Sequence, residues 1–199
     1  MELAIVKYNA GNIQSVLYAL ERIGATAVVT DDHEQLRKAD KVIFPGVGEA
    51  SSAMRYLQQH GLDTVLKDLQ QPVLGICLGM QLMCAYSEEN NTPCLRIFEE
   101  KVKHFESVTT AEGPLKIPQI GWNNIWSLKT DLFKGVPENS FTYFVHGYYA
   151  ALGEHTIATT TYGHSYSSAL HRGNFYGVQF HPEKSAAVGE TILGNFLKL

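Results

Sequence analysis

Four short apolar runs, Leu3-Ala4-Ile5-Val6, Thr26-Ala27-Val28-Val29, Lys41-Val42-Ile43-Phe44 and Pro72-Val73-Leu74-Gly75-Ile76, alternate with helical patterns along the first half of the chain. Between the first two, Ile13, Val16, Leu17, Leu20 and Ile23 recur at helical spacing until Gly24 ends the segment. A second helix is predicted to run from the Pro45-Gly46-Val47-Gly48 loop towards His60-Gly61. Runs that are apolar on both faces suit strands covered on both sides, so the alternation predicts an open, mostly parallel sheet with helices on both faces. After about residue 95 the pattern changes. Lys101–Phe105, Ile117–Ile125, Phe141–Val145, Thr156–Tyr162 and Tyr166–His171 read as short strands with few helices between them, an antiparallel addition in the C-terminal half. Phe175–Phe180 is the last buried strand, and Glu190–Leu199 closes the chain as a helix. With 199 residues and no repeat, low-complexity segment or linker, residues 1–199 are expected to form a single domain.

The fourth run leads into Gly75-Ile76-Cys77-Leu78-Gly79, followed by good helix formers through Tyr86. Cys77 therefore falls at a tight strand-to-helix turn. In G-x-S-x-G enzymes that turn strains and exposes a nucleophile, and here sulfur takes the place of oxygen. A helix N-terminus also favours thiolate. Taken alone, Cys77 also has the blander reading of a small buried hydrophobe, which the G-x-C-x-G spacing disfavours, and a site still needs a base. Phe180-His181-Pro182-Glu183 supplies one: in a parallel sheet reactive groups gather beyond the carboxyl ends of the strands, and His181 follows the last strand directly. His181 can take the thiol proton and return it to a leaving group, and Glu183 can bond its other ring nitrogen. Either residue alone would be ordinary, a surface histidine or a solvated carboxylate. The Gly46-Val47-Gly48 loop adds a place where backbone N–H groups could meet an oxyanion, with Gly48 and Leu78 the expected pair.

Composition removes other classes. Charged residues make up 18% and the net charge is -4 without a dense Lys/Arg run, which argues against nucleic acid as a partner. No apolar stretch approaches a membrane span, and the N-terminus lacks the order of a signal peptide. Cys77, Cys84 and Cys94 cannot all pair and show no metal-type spacing, so a cytoplasmic protein without a metal or cofactor is expected. G-x-G-x-x-G and the P-loop pattern are both absent.

Gly75-Ile76-Cys77-Leu78-Gly79-Met80-Gln81, Phe180-His181-Pro182-Glu183 and Pro45-Gly46-Val47-Gly48 resemble, in order and spacing, the class I (triad-type) glutamine amidotransferases, across nearly the whole chain. Within that class, Pro118-Gln119-Ile120-Gly121-Trp122-Asn123, Tyr143-Phe144-Val145-His146-Gly147-Tyr148 and the opening Tyr8–Val16 are similar to the glutaminase subunits of imidazole glycerol phosphate synthases, with departures at Lys7, Asn9 and Gly147. The resemblance implies a flavodoxin-like sheet, a Cys77–His181–Glu183 triad, and glutamine hydrolysed through a thioester. It also implies glutamine contacts at Gln81, Glu89, Gly147 and Tyr148, and ammonia delivered to a (βα)8 cyclase subunit in histidine biosynthesis. Asn12, Trp122, Asn123 and Tyr143 are the candidates for that interface, although a Trp in a strand commonly fills core. A cysteine hydrolase on a related sheet would share the elbow without needing Gln81 or Gly121-Trp122-Asn123. A regulatory subunit that had lost turnover would not need an intact Cys, His and Glu.

Overall fold

The computed structural model describes residues 1–9, 11–107, 109–110 and 113–199; Ala10, inside the opening segment matched above, lies outside them. The first half winds as β1 (Leu3–Val6), α1 (Ile13–Arg22), β2 (Val28–Thr30), α2 (His33–Lys38), β3 (Lys41–Gly46), α3 (Ala50–Gln59), α4 (Leu62–Asp68), β4 (Val73–Cys77) and α5 (Leu78–Met83). The expected helix from the glycine loop is two helices. Gly61, at φ 65°, turns the chain sharply between α3 and α4. The helices α2 and α4 carry little sequence signal, because six or seven residues hold barely two turns of apolar period. The helix after Cys77 is also shorter than its helix formers suggested, because Cys84 is already extended.

The sheet order is β2-β1-β3-β4 followed by the strand Phe175–Val178, every neighbouring pair parallel. This 2-1-3-4-5 order is flavodoxin-like. Beyond it the sheet continues through His164–Arg172, Tyr148–Ala150 and Lys101–His104, joined by antiparallel pairs. Along β1, Leu3 and Ile5 pack with Val16, Ala19 and Leu20 of α1 and with Ile192, Leu193 and Phe196 of α6 (Ala186–Phe196). Ala4 and Val6 enter the opposite cluster with Leu36, Leu57, Leu66 and Leu82 from α2 to α5. Successive side chains leave a strand on opposite faces, so both layers of helices are needed to cover the sheet.

A separate antiparallel ribbon, Gln119–Ile125 with Ser140–His146, pairs Trp122 with Tyr143 and Ile120 with Val145. One face is core, through Ile125 and Phe144. The other leaves Ile120, Trp122 and Phe141 more than half exposed.

Glycine governs how closely α5 approaches the sheet. A Cβ at Gly79 would overlap the carbonyl oxygen of Phe44 on β3, and one at Gly75 would come within 2.9 Å of the Met80 amide. The Gly79→Ala variant should therefore push α5 off the sheet. Overpacking of this kind costs roughly 1–3 kcal/mol, and the displaced elbow should lower turnover by about a hundredfold. Denaturant midpoints and the glutamine hydrolysis that the resemblance implies, measured on the same preparation, check both numbers; an unaltered rate would show that the elbow does not depend on this contact.

Candidate active site

Cys77 ends β4 and caps α5 with φ 53° and ψ -111°. A non-glycine residue held there stores backbone strain, which persists because β4 and α5 are fixed by packing on either side. The result is a thiol held where the sheet ends, beside the loops that follow β3 and the strand Phe175–Val178.

His181 follows that strand and begins the turn Pro182–Lys184. Its ring Nδ1 lies 2.7 Å from Glu183 Oε1, with both side chains buried. A carboxylate at Nδ1 fixes the proton on that nitrogen and leaves Nε2 for the sulfur. The backbone is pinned as well. The His181 N–H donates to the Tyr143 carbonyl at 2.8 Å, and the Ser185 hydroxyl donates to the His181 carbonyl at 2.6 Å. Burial works against a charged ring, but attraction to the Cys77 thiolate, a hydrogen bond with it, and Glu183 together push the His181 pKa up to about 10. The ring therefore keeps its proton at neutral pH.

One cavity of about 520 Å³ opens over the pair, lined by Cys77, His181, Gly48, Leu78, Gln81, Glu89, Gly147 and Tyr148. The nucleophile, the base, and the oxyanion and substrate residues expected from sequence thus converge, and Glu183 stands behind His181. Gly48, at φ 110°, holds a backbone that an L side chain rarely adopts, and its N–H has no partner among the described residues. Glu89 Oε2 accepts from the Ala50 N–H at 2.7 Å at the start of α3. Burial raises the Glu89 pKa; the Ala50 hydrogen bond opposes that shift and Glu49 adds to it.

Several residues at the site were not singled out from sequence. Val145 places its carbonyl 3.7 Å from Cys77 Sγ. His146 lines the cavity with Nδ1 2.6 Å from the Tyr148 carbonyl, and burial pushes its pKa down to about 4, so the ring is neutral. The Tyr8 hydroxyl donates to the Pro45 carbonyl at 2.8 Å, beneath the glycine loop. Gln179 is fully buried between Gln81 and Cys77. A polar residue inside an apolar strand, two positions before His181, was the available signal for it.

The interface candidates fall in different surroundings. Trp122 is 51% exposed, and its ring meets Tyr143 edge-on with centroids 5.9 Å apart, on the outward face of the ribbon. Asn123 points the other way: its amide donates to the Thr161 carbonyl at 3.0 Å, and its side-chain oxygen accepts from the Asn124 N–H. Asn12 stands at the N-terminus of α1 without capping it.

A cysteine on a strained elbow, a buried histidine tied to a glutamate, and a flavodoxin-like sheet together form the arrangement that an α/β enzyme with a cysteine nucleophile needs. The model of the family "Glutamine amidotransferase class-I" matches residues 4–199. The chain belongs to that family, and it is a glutaminase. It is 57% identical over 199 residues to a Bacteroides fragilis protein named imidazole glycerol phosphate synthase subunit HisH, with 100% of each chain covered. A protein of the same name from Idiomarina loihiensis is 42% identical, covering 100% of this chain and 98% of the relative. Among solved structures, a glutamine amidotransferase superposes with a TM-score of 0.74 at 18% identity, covering 100% of this chain and 98% of that one. That likeness concerns the fold.

Proposed function

We propose that this chain is the glutaminase subunit of an imidazole glycerol phosphate synthase, acting in the cytoplasm and passing ammonia to a (βα)8 cyclase subunit. The observation that carries the reading is the Cys77–His181–Glu183 arrangement facing a cavity whose rim runs through Val145 onto the exposed ribbon face. The Cys77 thiolate attacks the side-chain amide carbon of glutamine, and the carbonyl becomes an oxyanion received by the Gly48 and Leu78 amides. His181 gives its proton to the departing nitrogen, the C–N bond breaks, and ammonia leaves a glutamyl thioester. Water then attacks the thioester with His181 as base, and glutamate departs as the thiolate reforms.

The polar lining fits the rest of the substrate. Gln81 spends its amide N–H groups on the Tyr148 carbonyl at 2.9 Å and Gln179 Oε1 at 2.8 Å, so only its oxygen remains to accept from the ligand. The Glu89 carboxylate suits the α-ammonium, and the backbone at Gly147 and Tyr148 completes the contacts.

An isolated ammonia generator would drain glutamine, so turnover should depend on the partner. The Gly48 peptide is the lever: one donor withdrawn from the oxyanion costs about a hundred- to a thousandfold. Docking of a ligand-bound cyclase on the face of Ile120, Trp122, Phe141 and Tyr143, with Asn12 and Asn123 at its margins, would shift the loop to its productive arrangement. The test compares glutamate release by the free chain, by the chain with the cyclase, and by that pair with the acceptor ligand of the cyclase added. A rise of a hundredfold or more is expected in the last, and Trp122→Glu should weaken the complex at least tenfold. Equal turnover in all three conditions would overturn the coupling.

A further inference from the structure

Gln179 follows the fifth parallel strand, its side chain is completely buried, and its main-chain N–H donates to the Ser168 carbonyl at 2.8 Å. A buried amide must satisfy both ends. Its Oε1 accepts from Gln81 Nε2 at 2.8 Å, and its Nε2 lies 3.7 Å from Cys77 Sγ, within reach of a sulfur acceptor. The direction of this chain of bonds is set by a backbone atom. The Tyr148 carbonyl can only accept, so the group of Gln81 beside it at 2.9 Å must be the amine. The second N–H of that amine needs an acceptor, which makes the nearer end of Gln179 its oxygen. Only the N–H end is then left to face the sulfur. Turning Gln179 over would set two amines together and press a carbonyl oxygen against a thiolate. Turning Gln81 over would oppose its carbonyl to that of Tyr148.

We propose that Gln179 is an N–H donor to the reacting sulfur, held in that polarity by Gln81 and the Tyr148 carbonyl, and that it favours the thiolate form of Cys77 before glutamine binds. This deepens the reading above, since it concerns the same nucleophile. A hydrogen bond to the charged form stabilises that form, and the same donor steadies the sulfur again when the thioester breaks. The Val145 carbonyl, also 3.7 Å from Sγ, works in the opposite sense, because only a thiol can donate to it. The groups around the sulfur are His181, Glu183 and Lys184 from the turn, Tyr8 from the end of β1, His146 from the ribbon, His104 from Lys101–His104, and Glu89. Of these, Lys184 is a second cation in the cavity lining, while His181 is the one that also hydrogen-bonds the sulfur. Gln179 adds a donor that does not titrate.

The experiment follows the alkylation rate of Cys77 by iodoacetamide against pH, which requires no glutamine and no partner. Failure of the glutaminase reading therefore leaves this test intact. Cys84 and Cys94 stay silent, because burial pushes the Cys94 thiol up to about 12 and the Cys84 thiol well above its ordinary value. The Cys77→Ala protein supplies the blank. In Gln179→Met the alkylation midpoint should rise by about one pH unit, the size expected for losing one hydrogen bond to a charged group. Gln179→Glu, which keeps an acceptor for Gln81 but turns a carboxylate towards the sulfur, should raise it further. Gln81→Leu, which does not touch the sulfur, should raise it by less, because the anchor of Gln179 is lost. Unchanged midpoints in whichever of these variants fold, judged by circular dichroism, would overturn the proposal and leave Gln179 a packing residue. A rise in Gln179→Met with none in Gln81→Leu would overturn the fixed polarity.

Discussion

Cys77→Ala is expected to eliminate glutamine hydrolysis and to leave the chain folded. The side chain is 6% exposed in a well-packed turn, and alanine fits the same space. Alanine also meets the same unfavourable backbone at φ 53°, so the elbow neither gains nor loses strain. What disappears is the one atom able to form the thioester. Removing the nucleophile of a triad costs about a millionfold in turnover in the best-studied serine case, and a comparable loss is expected here. Glutamate release and the thermal midpoint, measured together, check the separation of activity from stability. Residual release near the wild-type rate would remove Cys77 from the mechanism, because no other thiol lines the cavity among the described residues.

His181→Ala should be about as severe in rate, since members of a triad act as a unit, but it should also cost stability. Glu183 Oε1 would lose its partner at 2.7 Å, and Glu183 Oε2 is already buried without one among the described residues. Leaving such a group unpaired costs roughly 1–3 kcal/mol or more for a charge. His181→Gln, which can still donate to Glu183, should recover much of the stability and little of the rate. Glu183→Gln should be milder in rate than either, because orientation is weakened while the base remains. A Glu183→Gln variant slower than His181→Ala would reverse the roles of base and orienter.

The pH dependence follows from the same pair. The His181 pKa stands at about 10, above its ordinary 6.5. The stability it contributes is therefore full below about pH 6.5 and is lost as pH rises through about 10. Turnover should fall over the same alkaline limb, where the ring no longer holds a proton for the departing ammonia. A flat rate through pH 10 would contradict the pair.

The parallel half of the fold was readable because its signals are local. Leu3–Val6 and Lys41–Phe44 are apolar on both faces, and α1 repeats its core residues at helical spacing over ten residues. The elbow was readable for the same reason: glycine, cysteine and glycine sit within five positions, and His181 and Glu183 are two apart. The ends of the elements were less legible. The second strand begins at Val28 and not Thr26, and the last helix begins at Ala186, four residues before Glu190. Such boundaries depend on pairing partners and on where the chain must turn.

By itself the sequence determined which residue types could do chemistry and which end of each strand would carry them, because hydrophobic period and turn residues act over a few positions. Only the tertiary structure decided which of them meet. Val145 and Gln179 approach the same sulfur from 68 and 102 residues away, one across the ribbon and one from the fifth parallel strand. The outward placement of Trp122 and the inward placement of Asn123 follow from the register of that ribbon, in which a slip of one residue would exchange the two faces. Periodicity cannot see across such distances. It is the burial of two faces of one sheet, under helices drawn from both ends of the chain, that brings a thiol, an imidazole and a buried amide together.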